Sequence, residues 1–269
     1  MATGMNIKDT ADQYKIESDL MKFAVRSGFK LKEQNQISLE AIADIERIYG
    51  KSPDNIKVNF DDIVSSIENI AYRIYLKEEE QFGSGVLSRY AEHLVSEGRI
   101  RSLDDVGKIL GENFRTLDRF FLSIAQSRKS RAGRAFEETH NYLFRKLSYP
   151  FSDQAVINGK PDFLLPSKEH YATNAMDCII FTAKRTLRER WRQIVTEGTR
   201  GLGFYLATID ENISGNQIRE MQNHRIYVVV PSSIKVKCYP DYVNAISFRQ
   251  FFSDHLDPAM ARWRRNGVI

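Results

Sequence analysis

Three short runs in the second half of the chain hold almost nothing polar. They are DCIIFTAK at 177–184, GFYLATI at 203–209 and RIYVVVP at 225–231. A strand with one wet face alternates apolar and polar residues. A run that stays apolar between turn signals belongs to a strand buried on both faces. Two stretches of helical texture separate these runs, RERWRQIVTEGTRG at 188–201 and SGNQIREMQNH at 214–224. Buried strands alternating with helices dictate an α/β core, a mixed sheet with helices around it. KPDFLLP at 160–166 adds a short strand closed by prolines, and SFRQFFSDHL at 247–256 a short helix.

The part over 1–112 reads differently. SLEAIADIERIYG has apolar residues at helical spacing, with Ser38 as the expected cap and Gly50 as the stop. FDDIVSSIENIAYRIYLKEEEQFG is expected to be a helix from Asp61 or Asp62 to Gly83. VLSRYAEHLVSEG and SLDDVGKILG follow, each ending at a glycine. The chain therefore divides into a helical part over 1–112 and an α/β part over 113–269. The latter opens with two helices around a basic hinge, SRKSRAGR at 127–134.

Composition excludes several classes. Hydrophobic residues make up 42% of 269, enough for a sizeable core, and glycine and proline are too few for large-scale disorder. The two cysteines, Cys178 and Cys238, have neither the spacing of a zinc site nor the number of a disulfide framework. A reduced, cytoplasmic compartment follows. No apolar run approaches the length of a membrane span, roughly 18 residues, so none is expected. The first residues lack the apolar core of a secretion signal, and Met5 is an alternative start. The net charge of +4 permits nucleic-acid binding, and the charge clusters.

Asp162 opens the strand in KPDFLLP, and Lys184 ends the strand that follows it. Two paired strands with a connecting loop bring such residues together. A carboxylate beside a lysine at a strand end suits a metal-dependent phosphodiesterase. The acid holds Mg²⁺, and the ammonium stabilises hydroxide and the developing phosphorane charge. Two positions before Lys184, where a second acid is usual in nucleases, stands Thr182. Glu197, on the helix after Lys184, is the expected second metal ligand. Glu137 or Glu138 completes the outer shell, with Glu137 preferred. Singly, a PD turn, a lysine at a strand tip and a late-helix glutamate are ordinary structural features. Their joint order carries the inference.

Arg188, Glu189 and Arg190 lie between Lys184 and Glu197. At the first turn of a helix entering a groove, arginine can donate to guanine O6 and N7, and glutamate can accept from cytosine N4. The competing reading is a solvated turn with a local ion pair of little worth. Arg128, Lys129 and Arg131 of SRKSRAGR suit phosphate contacts, and Gln126 before them suits a base edge. Trp191 and Phe204 read as core.

SRKSRAGRAFE, KPDFLLP, AKRTLRERWRQIVTEG and GNQIREMQNHRIYVVVP together resemble one family, over roughly 113–252. It is the CCGG family of type II restriction endonucleases, the group of the EcoRII C-terminal domain, PspGI, SsoII and PfoI. The resemblance implies a PD-(D/E)XK core with a rearranged active site made of Asp162, Lys184, Glu197 and Glu137. It implies Arg188, Glu189 and Arg190 as readers of the CC:GG pairs, with Gln126 on the outer pair. Arginine rather than lysine at 188 resembles the SsoII side, whose target is CCNGG. It further implies Mg²⁺, a homodimer on palindromic double-stranded DNA, a cognate methyltransferase, and extrusion of central bases. Tyr72, Arg73 and Tyr75 are surfaces on which such a base could stack, although the tyrosines read more readily as core. The 1–112 part is then expected to support DNA contact and dimerisation. Two other functions remain open: a structure-specific repair or junction nuclease, and a non-catalytic sequence-specific DNA-binding protein.

Overall fold

The computed structural model describes residues 19–154, 161–187 and 203–269, with the backbone alone at 129–133. These residues form two compact units. One comprises the described residues up to Glu33 with Arg73–Arg131, and the other comprises Gln34–Tyr72 with Ala132–Ile269.

The first unit is helical. It contains α1 (Leu20–Arg26), and Asp19 caps that helix by accepting from the Lys22 N–H at 3.1 Å. Its core is made of Phe23, Phe82, Val86, Tyr90, Leu94 and Phe120, among others. The helix expected to stop at Gly83 instead runs unbroken over Phe60–Ser96. Gly85 lies inside it for a steric reason. A Cβ there would stand 2.6 Å from the Phe29 ring, so glycine serves close packing and not termination. The chain leaves this helix through Gly98, at φ +70°.

The second unit holds a six-stranded sheet in sequence order. Its strands are β1 (Ser152–Asp153), β2 (Phe163–Leu165), β3 (Ile179–Ala183), β4 (Gly203–Ala207), β5 (Ile226–Val230) and β6 (Ala245–Ser247). β1–β2 and β2–β3 are antiparallel, and the remaining pairs are parallel. The sheet is mixed, and all five residues of both β3 and β4 are buried, as their unbroken apolar runs require. Alternation sends Leu164, Ile180, Leu206 and Val228 to one face, where they pack with Ile218, Met221 and Tyr239. Phe163 and Phe181 project to the other, into an aromatic core with Phe60, Phe136, Phe144, Phe248 and Phe251. Within this core His140 is fully buried and its Nδ1 bonds the Phe136 carbonyl at 2.7 Å. Burial pushes its pKa down to about 4, so it is neutral at pH 7.

Three local expectations are corrected. The helix at Gln34–Tyr49 begins four positions before Ser38. Ser38 is not its cap but a buried side chain donating to Glu138 at 2.6 Å. SRKSRAGR is not a hinge, because Phe114–Lys146 is one continuous helix. Residues 34–72, expected with the helical N-terminal part, pack with the sheet. Phe60 is buried against Phe248 and Phe252, and Asp61 accepts from the Ser232 and Phe248 N–H groups at 3.1 and 3.2 Å. Among the described residues no helix is long and apolar enough to cross a membrane.

Candidate active site

Register builds the centre of the site. Phe163 pairs with Phe181 across the antiparallel β2–β3 ladder, so Asp162 falls opposite Thr182. Asp162 is 6% exposed. Its Oδ2 accepts from the Ala183 N–H at 2.8 Å and from Lys184 Nζ at 3.0 Å. Its Oδ1 accepts from the same ammonium at 3.2 Å. Its own N–H donates to Thr182 Oγ1 at 3.4 Å. The residue that stands where an acid is usual thus braces the backbone of the aspartate. Lys184 is fixed from the parallel side as well, by its N–H to the Ala207 carbonyl at 2.9 Å.

The second carboxylate comes from the helix over 114–146. Glu137 accepts from Gln154 Nε2 at 3.1 Å, and the Gln154 N–H donates to the Asp162 carbonyl at 3.0 Å. Burial, and after it the negative charge of Asp162, raise the Glu137 carboxyl above the usual range. Glu137 therefore shares the field of Asp162, and it lines an open cleft of about 580 Å³ with Arg134, Glu138 and Gln154. Glu138, the less favoured alternative, is engaged with Ser38.

These groups suit a divalent cation. Two carboxylates, one of them made harder to ionise by the other, offer hard oxygen ligands, and a cation would relieve the repulsion. Among the described residues no group of three or more histidine, cysteine or acidic side chains forms a metal cluster. Glu197, the expected second ligand, lies outside the described residues, as do Arg188, Glu189, Arg190 and Trp191. Phe204 is core, at 4% exposure.

The other named residues fall in varied places. Gln126 is exposed on the helix over 114–146, and Arg128 on the same helix is not a free phosphate ligand. The Arg128 Nε donates to both oxygens of Glu79 at 2.9 Å. The side chains of Lys129 and Arg131 lie outside the described residues. Tyr72 is 42% exposed and Arg73 is exposed. Tyr75 is 2% exposed, so in this structure its ring has no open face to offer a base. Sequence reasoning missed Gln154. Its only signal is the short β1 strand before it, whose pairing with β2 is set by the fold.

Comparison with known proteins extends this geometry. The family described as EcoRII C terminal matches residues 95–252. The chain is 36% identical over 146 residues to the type II restriction enzyme EcoRII of Escherichia coli, covering 51% of this chain and 36% of that one. It is 28% identical over 196 residues to the type II restriction enzyme SsoII of Shigella sonnei, covering 67% and 64%. It thus spans just over a third and just under two thirds of these relatives. Among solved structures, metal-depleted Ecl18kI in complex with uncleaved, modified DNA superposes with a TM-score of 0.74 at 26% identity, covering 91% of this chain and 83% of that one. Because the family match spans more than half of its length, the chain belongs to the EcoRII C-terminal family of restriction endonucleases.

Proposed function

We propose that the chain is a Mg²⁺-dependent type II site-specific endodeoxyribonuclease. It hydrolyses one phosphodiester bond per strand of double-stranded DNA at a short palindrome containing CC(N)GG. The observation that carries this reading is the Asp162–Lys184 contact, with Glu137 in the field of the same aspartate. A binding protein has no use for an ammonium held against a nearly buried carboxylate beside a second acid. The relatives' printed names support the class of reaction.

Asp162 and Glu197 would hold the cation, with Glu137 in the outer shell. When bound, the cation lowers the pKa of water and neutralises charge on the phosphate. Lys184 is placed to stabilise the attacking hydroxide and the extra negative charge of the transition state, while its bond to Asp162 fixes its direction. Arg188, Glu189 and Arg190 would read the G·C pairs, with Gln126 on the outer pair. A palindrome calls for a homodimer with one active site per strand. The exposed side chains of Phe114 and Phe121, two turns apart on one helix, are apolar surface that a second copy could cover. A cognate methyltransferase would protect the host's own sites. Tyr72 and Arg73 are the exposed candidates for stacking an extruded base.

The test is digestion of a plasmid carrying one CCNGG site, with sequencing of the fragment ends. Mg²⁺-dependent cleavage at that site is expected, and Lys184→Ala should lose about 100- to 1000-fold in rate. Cleavage of branched DNA without regard to sequence would instead mark a junction nuclease. Tight, specific binding without any cleavage would mark a DNA-binding protein.

A further inference from the structure

The four residues that leave β3 are held from two sides. On one side stands the end of β4. Ala207 accepts the Lys184 N–H at 2.9 Å, Thr208 Oγ1 donates to the Arg185 carbonyl at 3.1 Å, and Asp210 Oδ2 accepts the Leu187 N–H at 3.0 Å. On the other side stands one residue from a distant part of the chain. Glu68, on the helix over 60–96, accepts from Arg185 Nε at 2.7 Å. Its side chain is 8% exposed, against 37% for Arg185.

The carboxylate is an odd tenant of that helix. Its neighbours Ile63, Val64, Ile67 and Ala71 are all buried and apolar. Burying a carboxylate there costs free energy that an apolar residue would not. Its other oxygen, Oε1, has no hydrogen-bond partner among the described residues, so Arg185 is the one described group that compensates it. A surface ion pair would explain nothing. A buried acid committed to a single arginine beside Lys184 calls for a reason.

We propose that Glu68 and Arg185 are positioning residues for the nuclease. Their ion pair fixes the direction in which the chain passes from Lys184 toward the Arg188–Arg190 triplet. The inference rests on the reading of Lys184 as catalytic and of the triplet as the base reader. Neither Glu68 nor Arg185 touches the reacting atoms. The pair acts through the backbone of 184–187, which Asp210 and Thr208 hold against β4.

The experiment compares Arg185→Ala, Glu68→Ala, Glu68→Gln and the double alanine variant. Single-turnover cleavage is measured at saturating cognate DNA, with Kd and amide exchange at Leu187 alongside. Each alanine change should slow cleavage by about 10- to 100-fold, the usual cost of losing a group that orients a catalytic one. Kd for cognate DNA should change far less than the cleavage rate. Glu68→Gln keeps an acceptor oxygen and should recover most of the rate. The double variant should be no slower than the slower single, because the two act as one unit. Exchange at Leu187 in the free protein should rise about ten-fold in both alanine variants, the effect of loosening one hydrogen bond. Wild-type cleavage and exchange in Arg185→Ala would overturn the proposal. So would additive losses, or a loss confined to Glu68→Ala together with unfolding. A wild-type chain that cuts no DNA would sink the nuclease reading, and unchanged exchange at Leu187 would then sink this inference separately.

Discussion

Replacing Asp162 by asparagine isolates charge from shape at the centre of the site. The carboxylate receives three donor contacts, one from the Ala183 N–H and two from the Lys184 ammonium. An amide has one acceptor oxygen. If that oxygen keeps the Ala183 N–H, the amide NH₂ faces the ammonium, donor against donor. Hydrogen bonds to charged groups contribute about 1.5–3 kcal/mol each. Two effects discount the loss. Lys184 is 34% exposed and can turn to water, and the repulsion between Asp162 and Glu137 disappears. The expected net destabilisation is about 1–2 kcal/mol, or roughly 2–8 °C in Tm, for a chain of this size. Catalysis should suffer far more. Cleavage should fall by over about 100-fold, beyond what the loss of an outer-shell group costs. The Glu137 carboxyl should move part of the way back toward the usual glutamate range, since its burial persists but the Asp162 charge does not. Calorimetry in EDTA, single-turnover cleavage and NMR titration of Glu137 read the three effects. Wild-type cleavage by this variant, or a Glu137 titration that ignores the substitution, would refute the reasoning.

Three further outcomes follow from the same geometry. Glu137 binds its proton more tightly in the fold than in the unfolded chain. In metal-free protein its contribution to stability is therefore present below pH 4.5 and is lost as pH rises through the higher folded value. Glu137→Gln should flatten that part of the Tm–pH curve in EDTA, and an unchanged curve would contradict the assignment. Arg128→Ala strands the Glu79 carboxylate, 9% exposed, and should cost about 1–3 kcal/mol of stability. It should leave the salt dependence of DNA binding intact, whereas a slope reduced by about one would reveal a phosphate contact instead. Tyr75→Ala should cost about 3–5 kcal/mol as a buried aromatic, against less than about 0.5 kcal/mol for exposed Tyr72→Ala. Equal losses in urea denaturation would show that the two rings do not differ in burial.

The sheet was legible because its information is local. A run such as IYVVV has no wet face to spare, and it becomes a strand covered on both sides. The Asp162–Lys184 contact was legible for the same reason, because an antiparallel pair of neighbouring strands turns spacing into proximity. What the sequence hid depends on partners far along the chain. SRKSRAGR reads as a hinge because its charges appear uncompensated, yet Arg128 is neutralised by Glu79, 49 residues earlier. Gly83 reads as a stop, with Gly85 close behind it, because the ring of Phe29 packed on Gly85 is not visible from the local pattern. Glu68 reads as one more acid on a charged helix, and only the fold brings it to Arg185 across 117 residues.

Thr182 shows how such hidden partners change the reading of a site. In sequence it is a defect, a hydroxyl where nuclease chemistry usually keeps an acid. In the fold its oxygen takes the Asp162 N–H, at 2% exposure, and a carboxylate there would face the oxygens of Asp162 at close range. The like-charge cost already felt by Glu137 from the helix side would be added a second time. An acid delivered by a helix, as Glu137 is, feels the charge of Asp162 while lining an open cleft, where water and a cation can share its charge. The threonine and the glutamate are two halves of one solution. On the proposed reading, a neutral strand position leaves the outer-shell carboxylate to come from the cleft side, where a metal would enter. Thr182→Asp should therefore lower stability in EDTA rather than restore a better metal site, and a variant that gains both Tm and Mg²⁺ affinity would overturn that account.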